Sequence, residues 1–326
     1  MGLLTTTLGQ MFVLFSLIFI GFFLAKIKVM PSDASLVLSR LENNLLLPAL
    51  VLSTFINNFT VQKIGEYWRL LLISSVVGIV MVFAAIFVAK CCSKDKFVQN
   101  IYTYGLSFSN FGFMGNAVVL AVFGDEVLTS YLIFTLPLWT LIYLWAVPTL
   151  LIPVEGEKQT LATRLKSFVN PMFGAMVLGM IIGLLGVNVP GPFSALLKSA
   201  GDCMSPIAML LTGITVANMD FKKVMSMKSI YVVSIVRLIV FPLIFIGLLF
   251  VVPLNTFIPA DMMKTTLVCI VVSLAMPLGL SPIIIPSAYG KDTSVAAGAT
   301  IASHVLSCFT IPVMFYLMNL LINTLI

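Results

Sequence analysis

Charged residues are scarce in this sequence. Only 9% of its 326 residues are Asp, Glu, Lys or Arg, whereas 60% are hydrophobic. A soluble domain is about a quarter charged, because a water-facing surface needs polar groups to cover its core. The composition therefore excludes a soluble globular protein and makes lipid the main solvent. The formal charge of +6 is spread over short connectors without a basic run, which argues against a nucleic-acid partner.

Sequence motifs for catalysis are missing. The chain has no H-E-x-x-H, G-x-S-x-G, P-loop or dinucleotide-binding glycine motif, so we expect no enzyme and no cofactor. Its five cysteines form no C-x-x-C and predict neither a metal site nor a disulfide framework. The first ten residues carry no Lys or Arg, and the following apolar run lacks a small-residue cleavage site. We therefore expect no cleaved signal peptide.

Long apolar runs are abundant instead. A helix needs about 20 mainly apolar residues to span a bilayer. Ten such runs predict an all-α membrane protein with ten transmembrane helices: 8–27, 35–56, 68–90, 99–122, 127–152, 168–187, 193–217, 229–252, 264–288 and 295–322. The connector 153–167 carries charges of both signs near mid-chain. It separates two predicted units of five spans each, 1–152 and 168–326.

The basic residues predict the orientation of these spans. Thirteen Lys and Arg residues lie in odd-numbered connectors and three in even-numbered connectors. Because cytoplasmic connectors are enriched in Lys and Arg, we place the odd connectors in the cytoplasm and both termini outside a cytoplasmic membrane. Five spans in each unit give the two units opposite orientations, which predicts an inverted repeat.

The two units share short patterns that support a repeat. Three residues of the second run match three of the seventh at one constant offset: Arg40 with Lys198, Pro48 with Pro206 and Thr54 with Thr212. The fourth and ninth runs are both interrupted by glycine, proline and polar residues, over 110–116 and 276–282. Unwound backbone inside a bilayer is tolerated only where protein or a water-filled cavity satisfies it. Matching interrupted spans are typical of secondary transporters, whose half-helix N-termini bind anionic groups.

Several of these segments resemble a known family. The sequence NFGFMG at 110–115 resembles the N-x-G-F-x-G signature of the auxin efflux carrier family, which includes plant PIN carriers and bacterial malate and malonate permeases. NNLLLP at 43–48 resembles the second-helix pattern of this family, and Met276-Pro277 with Tyr289-Gly290 resembles its ninth-helix pattern. The similarity covers essentially the whole chain.

The resemblance implies a 5+5 inverted-repeat fold with a scaffold domain and a transport domain. Helices four and nine would cross at mid-membrane and bind the substrate, and the scaffold domains would form a homodimer. Two residues depart from the family pattern: Ala117 replaces a usual proline, and Ser281 replaces a usual asparagine. We therefore expect a less sharply broken fourth helix and fewer donors in the ninth.

The residues predicted to bind substrate lie mainly in the two interruptions. They are Asn110, Gly112, Phe113, Gly115, Asn116, Pro277, Gly279 and Ser281, together with Asn44 and Arg237 from other spans.

Ionisable residues within spans are the candidates for charge recognition and coupling, because they are costly to insert. For Glu42 and Arg237 two interpretations are open. They form a buried ion pair, or they act in function: Arg237 attracts a carboxylate substrate or Glu42 carries a proton. Asp202 is predicted to bind a coupling proton or cation beside the carbonyl freed by Pro206; the alternative is an ion pair with Lys198.

The sole histidine, His304, is surrounded by small residues in the tenth run. We favour a hydrogen bond between packed helices over a proton relay for it.

Together these features predict a secondary active transporter that moves small organic anions by alternating access. The candidate substrates are carboxylates such as malate, malonate or auxin-like acids, with a proton or sodium as the coupling ion. Two alternatives remain, a passive anion channel and a sodium-coupled organic-anion symporter of related fold.

Overall fold

A computed structural model describes residues 3–31, 33–152, 171–251 and 257–325 of the chain. Helices make up the regular structure of these ranges, in agreement with the predicted all-α class. The described residues before the connector contain α1 (Leu3–Lys26), α2 (Ala34–Asn58), α3 (Val61–Cys92), α4 (Lys96–Ser107), α5 (111–123) and α6 (Glu126–Leu151). Those after it contain α7 (Pro171–Leu185), α8 (Gly191–Asn218), α9 (Phe221–Met225), α10 (228–251), α11 (Ala260–Ala275), α12 (Ser281–Ala288) and α13 (Ser294–Leu325). The predicted connector 153–167 lies outside the described residues.

Six described helices are long and apolar enough to cross a membrane: α2, α3, α6, α8, α10 and α13. The fourth and ninth runs are absent from this set because each is divided into two shorter helices. Large apolar side chains cover the outer surface, and Phe12, Phe83, Phe87 and Phe309 are each at least 70% exposed. Such a surface is unfavourable in water and favourable in lipid, so the chain is an integral membrane protein.

Polar side chains cap the N-terminal ends of several helices. The side chains of Thr60, Asp95 and Asp220 each accept a hydrogen bond from a backbone N–H in the first turn of α3, α4 and α9. These caps satisfy donors that have no partner inside the helix.

Two helices contain a π-turn shortly before a proline. In α2 the π-turn is Glu42–Leu46, ahead of Pro48, and in α10 it is Val236–Val240, ahead of Pro242. Proline cannot donate to the carbonyl one turn earlier, and a wider turn accommodates the missing bond. Each of these turns holds a buried ionisable side chain, Glu42 in α2 and Arg237 in α10.

The most completely buried backbone lies where the fourth and ninth runs are interrupted. Every residue of 101–110 and of 271–280 is buried. The candidate site therefore lies in the buried interior of the described structure.

Candidate functional site

The two interruptions meet in the structure. Between α4 and α5 the chain is extended at 108–110, and between α11 and α12 it is unwound at 276–280. Ser109 and Leu278 form an isolated antiparallel β-bridge, and the Asn110 N–H donates to the Pro277 carbonyl at 2.7 Å. We call residues 108–110 and 276–280 the crossing. Here the broken backbones satisfy part of each other's hydrogen bonding, as a buried chain requires.

Prolines explain the break in the ninth run. Pro277 restricts Met276 to extended backbone, and Met276 has φ −72° and ψ 148° at the end of α11. Pro282 stands in the first turn of α12, where its missing N–H costs nothing. The interruption thus lies where the sequence predicts it.

The break in the fourth run lies earlier than predicted. The extended residues are 108–110, and the glycine-containing stretch Phe111–Gly115 is wound as a π-turn that leads into the rest of α5. Proline is absent from this motif, so nothing prevents its backbone from forming a helix. The expectation of an interruption throughout 110–116 is therefore wrong.

Arg237 caps the carbonyl ends of both broken helices. Its Nη1 donates to the Leu106 carbonyl at 2.8 Å, at the end of α4. Its Nη2 donates to the Ser273 carbonyl at 2.8 Å and Nε to the Met276 carbonyl at 3.5 Å, at the end of α11. The side chain is 1% exposed. A planar guanidinium satisfies several carbonyls at once and opposes the negative ends of two helix dipoles.

Serine side chains complete the crossing. Ser109 Oγ donates to the Ser273 carbonyl at 2.7 Å, and Ser303 Oγ in α13 accepts from the Leu278 N–H at 3.2 Å. The sequence alone does not assign these serines to the site. Their signal is weak, since serine also occurs at ordinary helix contacts; only their positions beside Asn110 and His304 could have indicated them.

Asn110 presents the main polar side chain at the crossing. Its Nδ2 lies 3.4 Å from His304 Nε2, and the other ring nitrogen of His304 lies 2.8 Å from the Thr300 carbonyl. Asn110 Oδ1 is buried and has no hydrogen-bond partner among the described residues. An unpartnered buried amide oxygen is costly, and such atoms in native structures usually indicate a bound group or a functional role.

The glycines of the predicted site make room for aromatic side chains. A Cβ at Gly112 would overlap the Trp139 ring, and a Cβ at Gly115 would overlap the Tyr131 hydroxyl. Tyr131 and Trp139 are in α6, and no pattern in the sequence indicates that either supports the motif. A Cβ at Gly279 would lie 3.3 Å from the Ser109 carbonyl, so this glycine allows the two segments of the crossing to approach each other closely.

The remaining predicted residues of the two interruptions lie on or next to the crossing. Pro277 belongs to the crossing and Ser281 begins α12, beside the Tyr104 side chain of α4. Asn116 Oδ1 is buried without a hydrogen-bond partner in the described structure. The side chain of Phe113 lies outside the described part of the chain.

Asn44 and Glu42 lie on α2, away from these hydrogen bonds. Asn44 is exposed, and its Nδ2 donates to the Arg40 carbonyl at 2.8 Å in the same helix. Glu42 is fully buried, and neither carboxyl oxygen has a hydrogen-bond partner among the described residues. The ion pair between Glu42 and Arg237 does not form, because the donors of Arg237 bond to backbone carbonyls.

Asp202 and Lys198 are ion-paired on α8. Asp202 Oδ2 lies 2.7 Å from Lys198 Nζ, with the two side chains 63% and 74% exposed. The ion pair, which is the alternative interpretation from the sequence, is therefore present in the structure. It does not bring them together with the crossing.

Comparison with known proteins identifies the family. A sequence profile of the family described as "Membrane transport protein" matches residues 6–315, nearly the whole chain. No curated protein matches the chain. The chain therefore belongs to this membrane transport protein family, the family of the auxin efflux carriers, as its NFGFMG, NNLLLP and Met276-Pro277 segments indicate.

Proposed function

We propose that the protein is a secondary active transporter of small organic anions, carboxylates in particular, and that the anion binds at the crossing. The observation that carries this proposal is the meeting of two interrupted helices at Asn110, with the N-terminal ends of α5 and α12 beginning directly after the crossing. Membership of a membrane transport family makes a small-molecule substrate the natural occupant.

The electrostatics of the crossing favour an anion. The negative ends of α4 and α11 are covered by the Arg237 side chain. The N-terminal ends of α5 and α12 also face the crossing, and the first N–H groups of a helix carry partial positive charge without partners in their own helix. No described carboxylate is hydrogen-bonded to the crossing. Positive groups are thus in excess, as a carboxylate site requires.

We also propose ten transmembrane spans arranged as a 5+5 inverted repeat, in units 1–152 and 168–326. The six long apolar helices support this, because they occupy the second, third and fifth positions of each unit. The interrupted pairs α4–α5 and α11–α12 occupy the fourth position. Helix contacts agree: α1 packs closely on α8 at Gly213, and α7 packs closely on α2 at Gly183. In the proposed repeat, each is the contact between the first span of one unit and the second span of the other.

Uptake by vesicles tests the function. The purified chain is reconstituted, and uptake of labelled malate, malonate and an aromatic acid is measured with imposed proton or sodium gradients. Uptake by a carrier is accelerated by unlabelled substrate on the opposite side, whereas flux through a channel is not. Dependence on sodium would favour the symporter alternative. Failure of every carboxylate in the panel would contradict the proposal.

Asn110→Ala tests the site. Loss of one hydrogen-bond partner of a charged ligand costs about 1–3 kcal/mol, so we expect a roughly 5- to 150-fold weaker apparent affinity. Asn57→Ala is the matched control, since Asn57 is an exposed amide that bonds only within α2. Equal affinities of the folded Asn110→Ala protein and the wild type would remove Asn110 from the site.

Orientation and assembly are separate proposals. Positions 5, 159 and 323 are replaced by cysteine on a cysteine-free background. We expect an impermeant reagent to label positions 5 and 323 from outside, and labelling of position 159 from outside would contradict a cytoplasmic connector. The homodimer rests on the family resemblance alone, and the mass of the purified protein in detergent tests it.

A further inference from the structure

The sole histidine of the sequence contacts the proposed anion site, and the function proposed above gives it no task. His304 is fully buried in α13. Its Nδ1 lies 2.8 Å from the Thr300 carbonyl oxygen one turn earlier, and its Nε2 lies 3.4 Å from Asn110 Nδ2. The ring therefore joins its own helix to the amide group at the crossing.

The two partners of the ring determine where its proton lies. A carbonyl oxygen only accepts, so Nδ1 carries a hydrogen and donates it to Thr300. In that neutral tautomer Nε2 has a lone pair, which accepts a hydrogen bond from the Asn110 amide. Asn110 Oδ1 is then the atom without a partner. In this state the amide offers an acceptor to any ligand at the crossing, and a carboxylate cannot donate to it.

A second proton on the ring reverses this arrangement. Both ring nitrogens of an imidazolium donate, so Nε2–H requires an acceptor. Asn110 supplies one when its amide rotates by half a turn and brings Oδ1 to the ring. The NH2 group then takes the place of Oδ1 and offers donors to the ligand. A carboxylate gains a donor and a nearby positive charge in one step.

We propose that His304 takes up one proton with each organic anion, and that this proton turns the Asn110 amide so that its NH2 group faces the anion. The proposal rests on the transport function proposed above. The proton comes from the aqueous phase that supplies the anion, resides on Nε2, and leaves to the opposite phase with the anion. No covalent bond is made or broken at the substrate.

The surroundings of His304 make the binding of the proton and the binding of the anion depend on each other. Helix α13 packs against α1, α4, α8, α9, α10, α11 and α12. The charged side chains described on these helices are Lys26, Lys96, Lys198, Asp202, Lys222, Lys223, Lys228, Arg237, Asp261 and Lys264, and of these only Arg237 is buried. Their neutral titratable groups, with those of α13 itself, are Tyr102, Tyr104, Cys203, Tyr231, Cys269, Cys308 and Tyr316.

The packed helices therefore supply a buried cation and no buried carboxylate. An imidazolium in this position lacks a protein counter-charge, and a buried charge without one is unfavourable. The anion provides that counter-charge. By linkage each ligand then strengthens the binding of the other, which is the property that a proton-coupled anion carrier needs.

The first test compares accumulation with exchange in reconstituted vesicles. The probe is labelled malonate, or whichever carboxylate of the panel gives the highest saturable uptake. With the membrane potential clamped at zero, one proton per anion gives about tenfold accumulation for each pH unit across the membrane, whatever the charge of the anion. We expect His304→Gln to lose this accumulation, because a glutamine amide takes up no proton. Exchange of internal for external anion should continue at a changed affinity, because the glutamine NH2 group can donate to Asn110 Oδ1 in place of Nε2–H. Thr310→Val, another substitution in α13, should retain both.

The results separate the two proposals. Full proton-driven accumulation by His304→Gln would overturn the role of His304 and leave the transport function intact. Loss of accumulation in Asp202→Asn but not in His304→Gln would assign coupling to Asp202 instead. Absence of carboxylate uptake by the wild-type protein would overturn the transport function and with it the role of His304.

A second measurement needs no variant. Because the chain has one histidine, 15N-histidine labelling gives NMR signals from His304 alone. In vesicles without anion we expect the neutral Nδ1–H tautomer. With saturating probe anion, at a pH at which uptake is proton-driven, both nitrogens should carry hydrogen. A ring that remains neutral with anion bound would overturn the proposal even if His304→Gln does not fold.

Discussion

Arg237 and Glu42 occupy similar positions in the chain and have opposite surroundings. Both lie in a π-turn shortly before a proline, and both are buried. Arg237 donates to three backbone carbonyls from two broken helices. Glu42 has no hydrogen-bond partner among the described residues. An ion pair is one of the two interpretations that the sequence leaves open for them. In the described structure Arg237 bonds to backbone carbonyls instead, and Glu42 has no hydrogen-bond partner.

The difference shows what a buried ionisable group needs. The last carbonyls at the C-terminal end of a helix have no donors within the helix. A guanidinium buried beside such an end therefore has enough acceptors. A carboxyl group needs donors, and helical backbone in the middle of α2 has none to spare. Arg237 therefore stabilises the crossing, whereas the surroundings of Glu42 hold nothing that depends on its charge.

The largest effect is expected from Arg237→Met. It removes three hydrogen bonds and leaves helix-end carbonyls buried without donors, which should cost about 3 kcal/mol or more. The measurement is thermal stability of the purified protein in detergent. Arg237→Lys should recover part of the loss, because an ammonium retains the charge but not the planar geometry.

Arg69→Met is the matched control for this substitution. Arg69 lies over the Trp68 ring, with the guanidinium carbon 4.8 Å from the ring centroid, and a partly exposed contact of this kind is worth about 1 kcal/mol or less. Similar losses in Arg237→Met and Arg69→Met would show that the backbone hydrogen bonds of Arg237 stabilise the protein no more than an ordinary arginine contact does.

An intermediate effect is expected from Gly115→Ala. The new methyl group overlaps the Tyr131 hydroxyl, and overpacking of this kind costs about 1–3 kcal/mol. Tyr131→Phe removes the overlapping oxygen, at the loss of its long 3.4 Å bond to the Phe111 carbonyl. The double variant should therefore be more stable than the two single losses added together. Simple additivity would show that Tyr131 does not limit position 115.

A small effect is expected from Glu42→Gln. The amide has nearly the same shape, and no cation or donor is lost when the carboxyl group is replaced. Stability should change by less than about 1 kcal/mol, the worth of an ordinary hydrogen bond. A loss comparable with that of Arg237→Met, in the same thermal measurement, would show that Glu42 has a charged partner after all.

The smallest effect on stability is expected from Asp202→Asn, since an exposed ion pair contributes about 0–1 kcal/mol. Its effect on transport decides between two roles. A coupling role predicts retained exchange, lost proton-driven accumulation, and no rescue when Lys198→Ala is added. A purely structural pair predicts that the double variant regains what either single change loses. Full accumulation by Asp202→Asn would exclude the coupling role.

The sequence predicts helix positions better than it predicts partners. Apolar runs and prolines locate the helices and the break at 276–280, because both act through the local chain. The glycines at 112 and 115 correctly mark a special segment. The need for glycine at these positions depends on Trp139 and Tyr131, which lie in the next helix, α6.

The sequence also does not predict the hydrogen-bond partners of Arg237. Charge suggests an acid, and acid residues can be read from a sequence. Free carbonyls at the ends of broken helices cannot, because every residue has one and only the fold shows which are left without donors. The same holds for Ser303, whose hydroxyl bonds a backbone N–H at the crossing.

The bonds of Arg237 have a consequence for the order of assembly. The Leu106 carbonyl is made 131 residues before the guanidinium that satisfies it, and Asn110 is made long before Pro277. Until α10 and α11 are made, the Leu106 carbonyl and the Asn110 N–H lack these partners, and lipid offers no water in their place. The first half of the chain therefore reaches its stable packing in lipid only when α10 and α11 pack against it.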